Sequence, residues 1–146
     1  MGISAGSGII LADEPTKGLD EKRVELVRDT FSRLNDETLL VVTHDMSFAG
    51  RVADSICVMY SSQQVEYGSA EQILKSPLHP YTRDMINAMP VNGMRYDDRG
   101  FAPSHDAAVT GCRYADRCHD CFGKCSEDPP VADVNGHKVR CWKYAL

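Results

Sequence analysis

No apolar run in this 146-residue chain approaches the ~20 residues that a membrane-spanning helix needs. The first residues, Met-Gly-Ile-Ser-Ala-Gly-Ser-Gly, lack the basic stretch that opens a secretory signal. Position six is Gly6, so the Ser or Thr of a myristoylation site is missing as well. Positive charge is in deficit: 16 Lys and Arg face 21 Asp and Glu, a net charge of -5. A nucleic-acid-binding surface needs a basic patch, so this balance argues against nucleic acid as a partner. There is no Gly-x-x-x-x-Gly-Lys-Ser/Thr loop, and with it goes the usual cradle of backbone amides and lysine for the β- and γ-phosphates of a nucleotide. Internal repeats and low-complexity tracts are absent too. What is left is the composition of an ordinary globular protein, 42% hydrophobic and 25% charged, with length for about one domain. The chain reads as cytoplasmic.

The informative residues begin with an apolar run that ends in two acids, Ile9-Ile10-Leu11-Ala12-Asp13-Glu14. The run does not alternate, which predicts a central strand buried on both faces. Pro15 ends it, Lys17-Gly18 turns, and Asp20 is placed to cap a helix. Val24, Val27, Phe31 and Leu34 recur at helical spacing over 21–35, and Asn35-Asp36 breaks the helix. Leu39-Leu40-Val41-Val42 is a second buried strand, followed by Thr43-His44-Asp45 and a short helix over 46–53. Strand, helix and buried strand in this order imply a parallel sheet covered by helices.

Residues 56–60 and 63–67 read as two strands joined by a tight polar turn at Ser61-Ser62. Gly68 marks a boundary. Ser69 caps a helix to about Lys75, with Glu71 and Gln72 in its first turn, and another helix runs from Pro80 or Tyr81 to Met89. Residues 91–111, rich in Gly, Asp, Asn and Pro, read as a linker or long loop. Three segments result: a nucleotide-site core over 1–68, a helical extension and linker over 69–110, and a cysteine module over 111–146.

Hydrolysis of a phosphoanhydride needs one carboxylate for magnesium, a second to orient or deprotonate water, and a polar group at the γ-phosphate. Asp13 and Glu14 emerge from a strand end, which suits the first two roles. His44 follows the second strand, so a parallel sheet brings it to the same edge, where imidazole can donate a hydrogen bond near neutral pH. An acid pair after a strand is often only a solvated strand end, and a single histidine is often a satisfied loop residue. The combination is the specific signal.

Leu-Ala-Asp-Glu-Pro-Thr-x-Gly-Leu-Asp followed by Val-Val-Thr-His-Asp closely resembles the Walker B, D-loop and H-loop segments of ABC-transporter ATP-binding subunits. The resemblance implies that Asp13 serves Mg-ATP, Glu14 is the catalytic base, His44 is the switch histidine, and Asp20 closes the D-loop that communicates across a dimer of such subunits. Lys17-Gly18 departs from the commoner residues of that loop. Ser76-Pro77-Leu78-His79-Pro80-Tyr81-Thr82-Arg83 resembles the segment after the ATPase core in oligopeptide, dipeptide and nickel permease ATPases, and the cysteine-bearing end resembles their C-terminal domain. The implied fold is α/β: a partial ABC-ATPase nucleotide-binding domain, with a P-loop-NTPase-like parallel sheet and helices, plus a small cysteine-rich C-terminal module.

The family's glutamine loop and Leu-Ser-Gly-Gly signature are not in the chain; Ser4-Ala5-Gly6-Ser7-Gly8 lies too close to Asp13 to be the signature. The chain therefore reads as the C-terminal part of a longer subunit, with Met1 an internal methionine of the full frame. Alone it is expected to lack ATPase activity and to expose a sheet edge or face, with association or poor solubility as the result. The implied partners are a second ABC ATPase subunit, identical or paralogous, and membrane permease subunits, with the protein peripheral at the inner face of the cell membrane.

Six cysteines are many for a cytosolic chain of this size. Cys57, alone in Ile56-Cys57-Val58-Met59-Tyr60, reads as a buried small hydrophobe. The other five crowd into the last 35 residues, which points to metal rather than disulfides in a reducing compartment. Cys112, Cys118, Cys125 and Cys141 are separated by five, six and fifteen residues and match the family pattern. The resemblance implies a [4Fe-4S] cluster on these four. Four thiolates equally suit tetrahedral zinc, Cys121 is an alternative ligand, and His119 and His137 are further candidates for a mixed zinc site. A module this short has little core of its own, so bound metal would supply folding energy.

Two other functions stand beside the importer ATPase: a stand-alone metal-binding or regulatory fragment without ATPase activity, and a non-transport ABC ATPase used in enzyme activation.

Overall fold

The computed structural model describes residues 8–34, 37–89 and 110–145. Almost all of the expected linker over 91–111, the Ser4–Gly8 stretch up to Gly8, and the Asn35-Asp36 break lie outside those residues. The described chain forms two compact units that divide between Ala53 and Asp54.

The first unit is a strand–helix–strand–helix: β1 (Ile9–Asp13), α1 (Glu21–Phe31), β2 (Thr38–Val42) and α2 (Met46–Val52). β1 and β2 pair in parallel, with Ile9 opposite Thr38 and Asp13 opposite Val42. Parallel neighbours need a crossover, and α1 supplies it. Asp20 caps α1 by accepting the Arg23 N–H at 3.0 Å, and Asp45 caps α2 by accepting that of Phe48 at 2.9 Å. Caps of this kind stabilise a helix by about 1 kcal/mol. Val24, Val27 and Leu34 pack with Leu39, Val41 and Val52 around a core of Ala12, Phe31 and Phe48. The Phe31 and Phe48 rings meet edge to face, 6.2 Å between centroids. The helical face expected from residue spacing is therefore the one that is buried.

The two strands are not buried on both faces. β1 alternates, with Ile10 and Ala12 inside and Ile9 and Leu11 more than half exposed; Leu40 and Val42 of β2 are exposed likewise. In a two-stranded sheet α1 and α2 cover one face only, so the uniformly apolar sequence leaves its other half facing outward.

The second unit holds β3 (Ser55–Tyr60), β4 (Gln63–Ser69), α3 (Ala70–Lys75), α4 (Pro80–Asn87), β5 (Val131–Val134) and β6 (His137–Arg140). Its four-stranded sheet has the order β3-β4-β6-β5, antiparallel throughout. Ser61 and Ser62 both take positive φ (45° and 62°), the conformation a two-residue hairpin needs to match strand twist. Ser69 and Gln72 form a reciprocal capping box at the start of α3. β3 alternates, so Ile56, Val58 and Tyr60 are buried and Cys57 is exposed. The reading of Cys57 as a buried hydrophobe is thus corrected: it sits on the uncovered face of a one-sided sheet.

β4 continues past Gly68 to Ser69 and pairs with β6 through Glu66–Val139 and Tyr67–Lys138. The cysteine-bearing segment is thereby built onto the β3–β4 hairpin as part of one sheet. Among the described residues no helix is long and apolar enough to cross a membrane.

Candidate functional site

Two side-chain constellations were expected from the sequence, and each lies within one unit. In the first, β1 delivers Asp13 to its C-terminal end, on the exposed face beside Val42. Glu14 follows with φ of 44°, a left-handed conformation rare for a residue with a side chain. Its N–H still donates to the Val42 carbonyl at 2.8 Å, so the strand pairing extends one residue past β1. The turn then closes through Lys17 N–H to Glu14 O and Leu19 N–H to Thr16 O, both 3.1 Å, with Gly18 at φ 74°.

β2 ends at Val42, and His44 returns over the same edge. Its Nδ1 is 2.8 Å from Glu14 Oε1. The His44 side chain is 81% exposed and that of Glu14 29%, so the imidazole is the outer member of the pair. Oε2 of Glu14 is buried and has no hydrogen-bond partner among the described residues. The neighbouring residues hold this geometry: Thr43 Oγ1 accepts the Asp45 N–H at 3.1 Å while Asp45 caps α2. Asp20, 63% exposed, faces its own helix start, with its carboxylate on Arg23. The structure thus brings Asp13, Glu14 and His44 to one strand edge and gives Asp20 a capping contact.

The second constellation is sulfur. Cys112, Cys118, Cys125 and Cys141 line one cavity with His79, Tyr114, Asp120, Trp142 and Lys143. The Cys112 N–H donates to the Cys125 carbonyl at 2.9 Å, closing the segment on itself. Two 3-10 turns, Ala115–Arg117 and Gly123–Ser126, aim the intervening cysteines, and Cys141 follows directly on β6. Gly111 takes φ 85°, and a Cβ there would meet the Cys125 and Ser126 carbonyls at 2.6 Å, so only glycine fits this approach.

Burial pushes the Cys118 thiol up to about 11, and Cys112 and Cys141 are raised for the same reason. Burial thus disfavours the thiolate form of these three sulfurs. Asp120 sits at the rim and accepts Arg83 at 2.7 Å and Lys143 at 2.8 Å. The hydrogen bond from Lys143 is the main cause of its lowered pKa.

The donor set suits a four-thiolate group. Yet among the described residues no three or more His, Cys, Asp or Glu stand close enough together to hold a metal ion. Cys121 and His119 are exposed and outside the cavity lining; His137 is also outside it, buried in the sheet beside Glu66.

Sequence reasoning missed Glu66. This carboxylate is fully buried and accepts the N–H groups of Leu78 (2.6 Å) and His79 (3.0 Å). His137 Nε2 is 2.7 Å from its Oε1, although out of line for a hydrogen bond. The segment after Ser76, together with His137, both brought in by tertiary structure, explains why an acid sits inside; no local signal marks it.

Residues 65–125 match the family described as oligopeptide/dipeptide transporter, C-terminal region. Over 99% of its length the chain is 32% identical to the oligopeptide transport ATP-binding protein AppD of Bacillus subtilis, covering 47% of that protein. It is 36% identical, over 84% of its length, to the dipeptide transport ATP-binding protein DppD of Caldanaerobacter subterraneus, covering 40% of it. To the dipeptide transport ATP-binding protein DppF of Escherichia coli it is 32% identical over 97% of its length, covering 45%. The chain spans about half the length of the curated relatives it matches.

Proposed function

The chain belongs to the peptide ABC-transporter ATP-binding proteins, whose C-terminal region it carries, and we propose that it supplies part of the ATP-hydrolysing site of an importer of peptides or nickel. One observation carries the reading: Glu14 and His44, thirty positions apart, meet at 2.8 Å on the edge where Asp13 leaves β1. Held on the imidazole through Oε1, the Glu14 carboxylate is the base in this scheme. Asp13, an exposed acid at a strand end, offers the oxygen that magnesium prefers and so serves Mg-ATP. His44 fixes the Glu14 carboxylate and reaches toward the terminal phosphate, and Asp20 lies in the loop that faces a second ATPase subunit. The phosphate cradle comes from residues outside this chain's motifs, so the chain alone is inactive. Permease subunits are its membrane partners, and its place is the cytoplasmic face of the cell membrane. The names of the relatives favour peptides as cargo.

The four cavity-lining cysteines are proposed to hold a [4Fe-4S] cluster, with zinc as the alternative. Bound there, the group would cross-link the turns of the 110–145 segment and stabilise thiolates that burial disfavours. That the four cysteines line one cavity also favours the second reading, a metal-binding or regulatory fragment that does no hydrolysis, although they do not stand close enough together here to hold a metal ion.

The deciding experiment supplies the chain together with a polypeptide that carries the glycine-rich loop and signature of a peptide-transporter ATPase. Magnesium-dependent ATP hydrolysis is expected from the pair, none from the chain alone, and none after Glu14→Gln. Hydrolysis by the isolated chain, or hydrolysis by the pair that ignores Glu14→Gln, would overturn the proposal.

A further inference from the structure

His44 is the exposed partner of Glu14, and among the described residues Glu14 is its one polar contact. An ionised carboxylate only accepts, so the hydrogen between them sits on Nδ1 and points at Oε1. An exposed imidazole turns freely about its side-chain bonds, and a single hydrogen bond in contact with water holds it weakly. The backbone beneath must therefore aim it, and that backbone is tied on both sides. Thr43 Oγ1 accepts the Asp45 N–H at 3.1 Å, which closes a turn around the His44 peptide. Asp45 Oδ1 accepts the Phe48 N–H at 2.9 Å, and the Asp45 carbonyl accepts that of Ala49 at 2.9 Å, so the turn runs directly into α2. α2 is itself fixed. Phe48 is fully buried against the Phe31 ring of α1, and the Arg51 guanidinium donates to the Glu25 carboxylate of α1.

We propose that Asp45 is a positioning residue: by joining the Thr43 turn to the anchored α2, it aims His44 at Glu14. Its carboxylate is turned to the start of α2, so it acts through His44 and not on the reacting atoms. The consequence for hydrolysis rests on the roles proposed above for Glu14 and His44; the aiming itself does not. Asn caps a helix about as well as Asp, so Asp45→Asn should keep the aim. Asp45→Ala removes the acceptor and should release the ring.

The test is nitrogen NMR of the histidine rings on the whole chain at pH 8.5, with the His44 signal assigned by its loss in His44→Gln. The unaltered chain should carry the His44 proton on Nδ1, with a resonance that moves on Glu14→Gln. In Asp45→Ala that proton should be shared between the two ring nitrogens, and the response to Glu14→Gln should vanish. Asp45→Asn should keep both features. A His44 signal that ignores Asp45→Ala, or one altered equally by Asp45→Ala and Asp45→Asn, would overturn the proposal. The Phe48 and Ala49 amide resonances report whether α2 survives. If Asp45→Ala unfolds it, Thr43→Val takes over, since it opens the turn and leaves the cap: a displaced Nδ1 proton supports the proposal, and a retained one overturns it. In a subunit completed by its phosphate-loop segment, Asp45→Ala should lower kcat for ATP by roughly 10- to 100-fold with KM little changed, and Asp45→Asn should recover it. A ring signal that follows Asp45 beside an unchanged kcat would leave the aiming intact and sink the hydrolytic role of the Glu14–His44 contact.

Discussion

Nδ1 of His44 lies 2.8 Å from Oε1 of Glu14 because β1 and β2 run parallel and end level, with Asp13 opposite Val42. The Glu14 backbone stays in register through its hydrogen bond to Val42 O, even as its φ turns positive. Glu14→Gln preserves shape and can still pair with the imidazole, but it removes the base. In a subunit completed by its phosphate-loop segment, hydrolysis should fall by ~100- to 10,000-fold. Binding of a fluorescent ATP analogue should be kept. Loss of binding in proportion to hydrolysis would show that Glu14 shapes the site rather than acting on water.

Gly111 crosses the turn at Cys125 and Ser126 so closely that a methyl group would stand 2.6 Å from two carbonyl oxygens. Both the positive φ and the contact oppose any side chain, so Gly111→Ala should destabilise the second unit by more than ~1 kcal/mol. Denaturant titration followed by Trp142 fluorescence reads the loss. Faster alkylation of Cys112 and Cys125 should accompany it, since the Cys112 N–H to Cys125 O bond closes the same crossing. An unchanged midpoint would mean that the turn relaxes at little cost.

Much of this architecture was legible in the chain, for reasons that can be stated. α1 and its buried face followed from spacing, because Val24, Val27 and Phe31 meet their neighbours locally. The Asp13, Glu14 and His44 edge followed because a parallel crossover leaves little choice of side. The four cysteines were picked out by family resemblance; they line one cavity but do not stand close enough together to hold a metal ion. β5 and β6 were missed although Asn135-Gly136, both at positive φ, is a strong short-range hairpin signal. The cysteines around it drew the reading toward a metal-held knob. Exposure of Ile9, Leu11 and Cys57 was also misjudged, since an apolar run does not say how many layers cover it. Glu66 was invisible because its partners, the Leu78 and His79 amides, are twelve and thirteen positions away.

That buried carboxylate ties the segment before α4 to the sheet. Glu66→Ala would leave two backbone N–H groups without their acceptor, each costing about 1–3 kcal/mol if it stays buried. Glu66→Gln keeps one acceptor oxygen and should cost distinctly less. Urea unfolding of both variants checks the order. Equal losses would point to the cavity left by the side chain, not the hydrogen bonds, as the source.

His79 gives the second unit a pH-dependent stability of definite sign. Its ring is buried at the start of α4, and Nδ1 accepts the Tyr81 N–H at 3.1 Å. Burial first, and then the Arg83 charge, pull its pKa from 6.5 down to about 4, with Asp84 opposing. Between those values the unfolded chain takes up a proton that the folded one refuses. The contribution is therefore complete above pH ~6.5 and falls as the pH drops toward 4, by up to ~1.4 kcal/mol per unit for one group. His79→Asn keeps a side-chain acceptor for the helix start and removes the titration. Urea midpoints measured from pH 7.5 to 4.5 should decline in the unaltered chain and flatten in His79→Asn once the shared carboxylate contribution is subtracted. Parallel curves for the two proteins would mean that the ring takes up its proton as readily folded as unfolded.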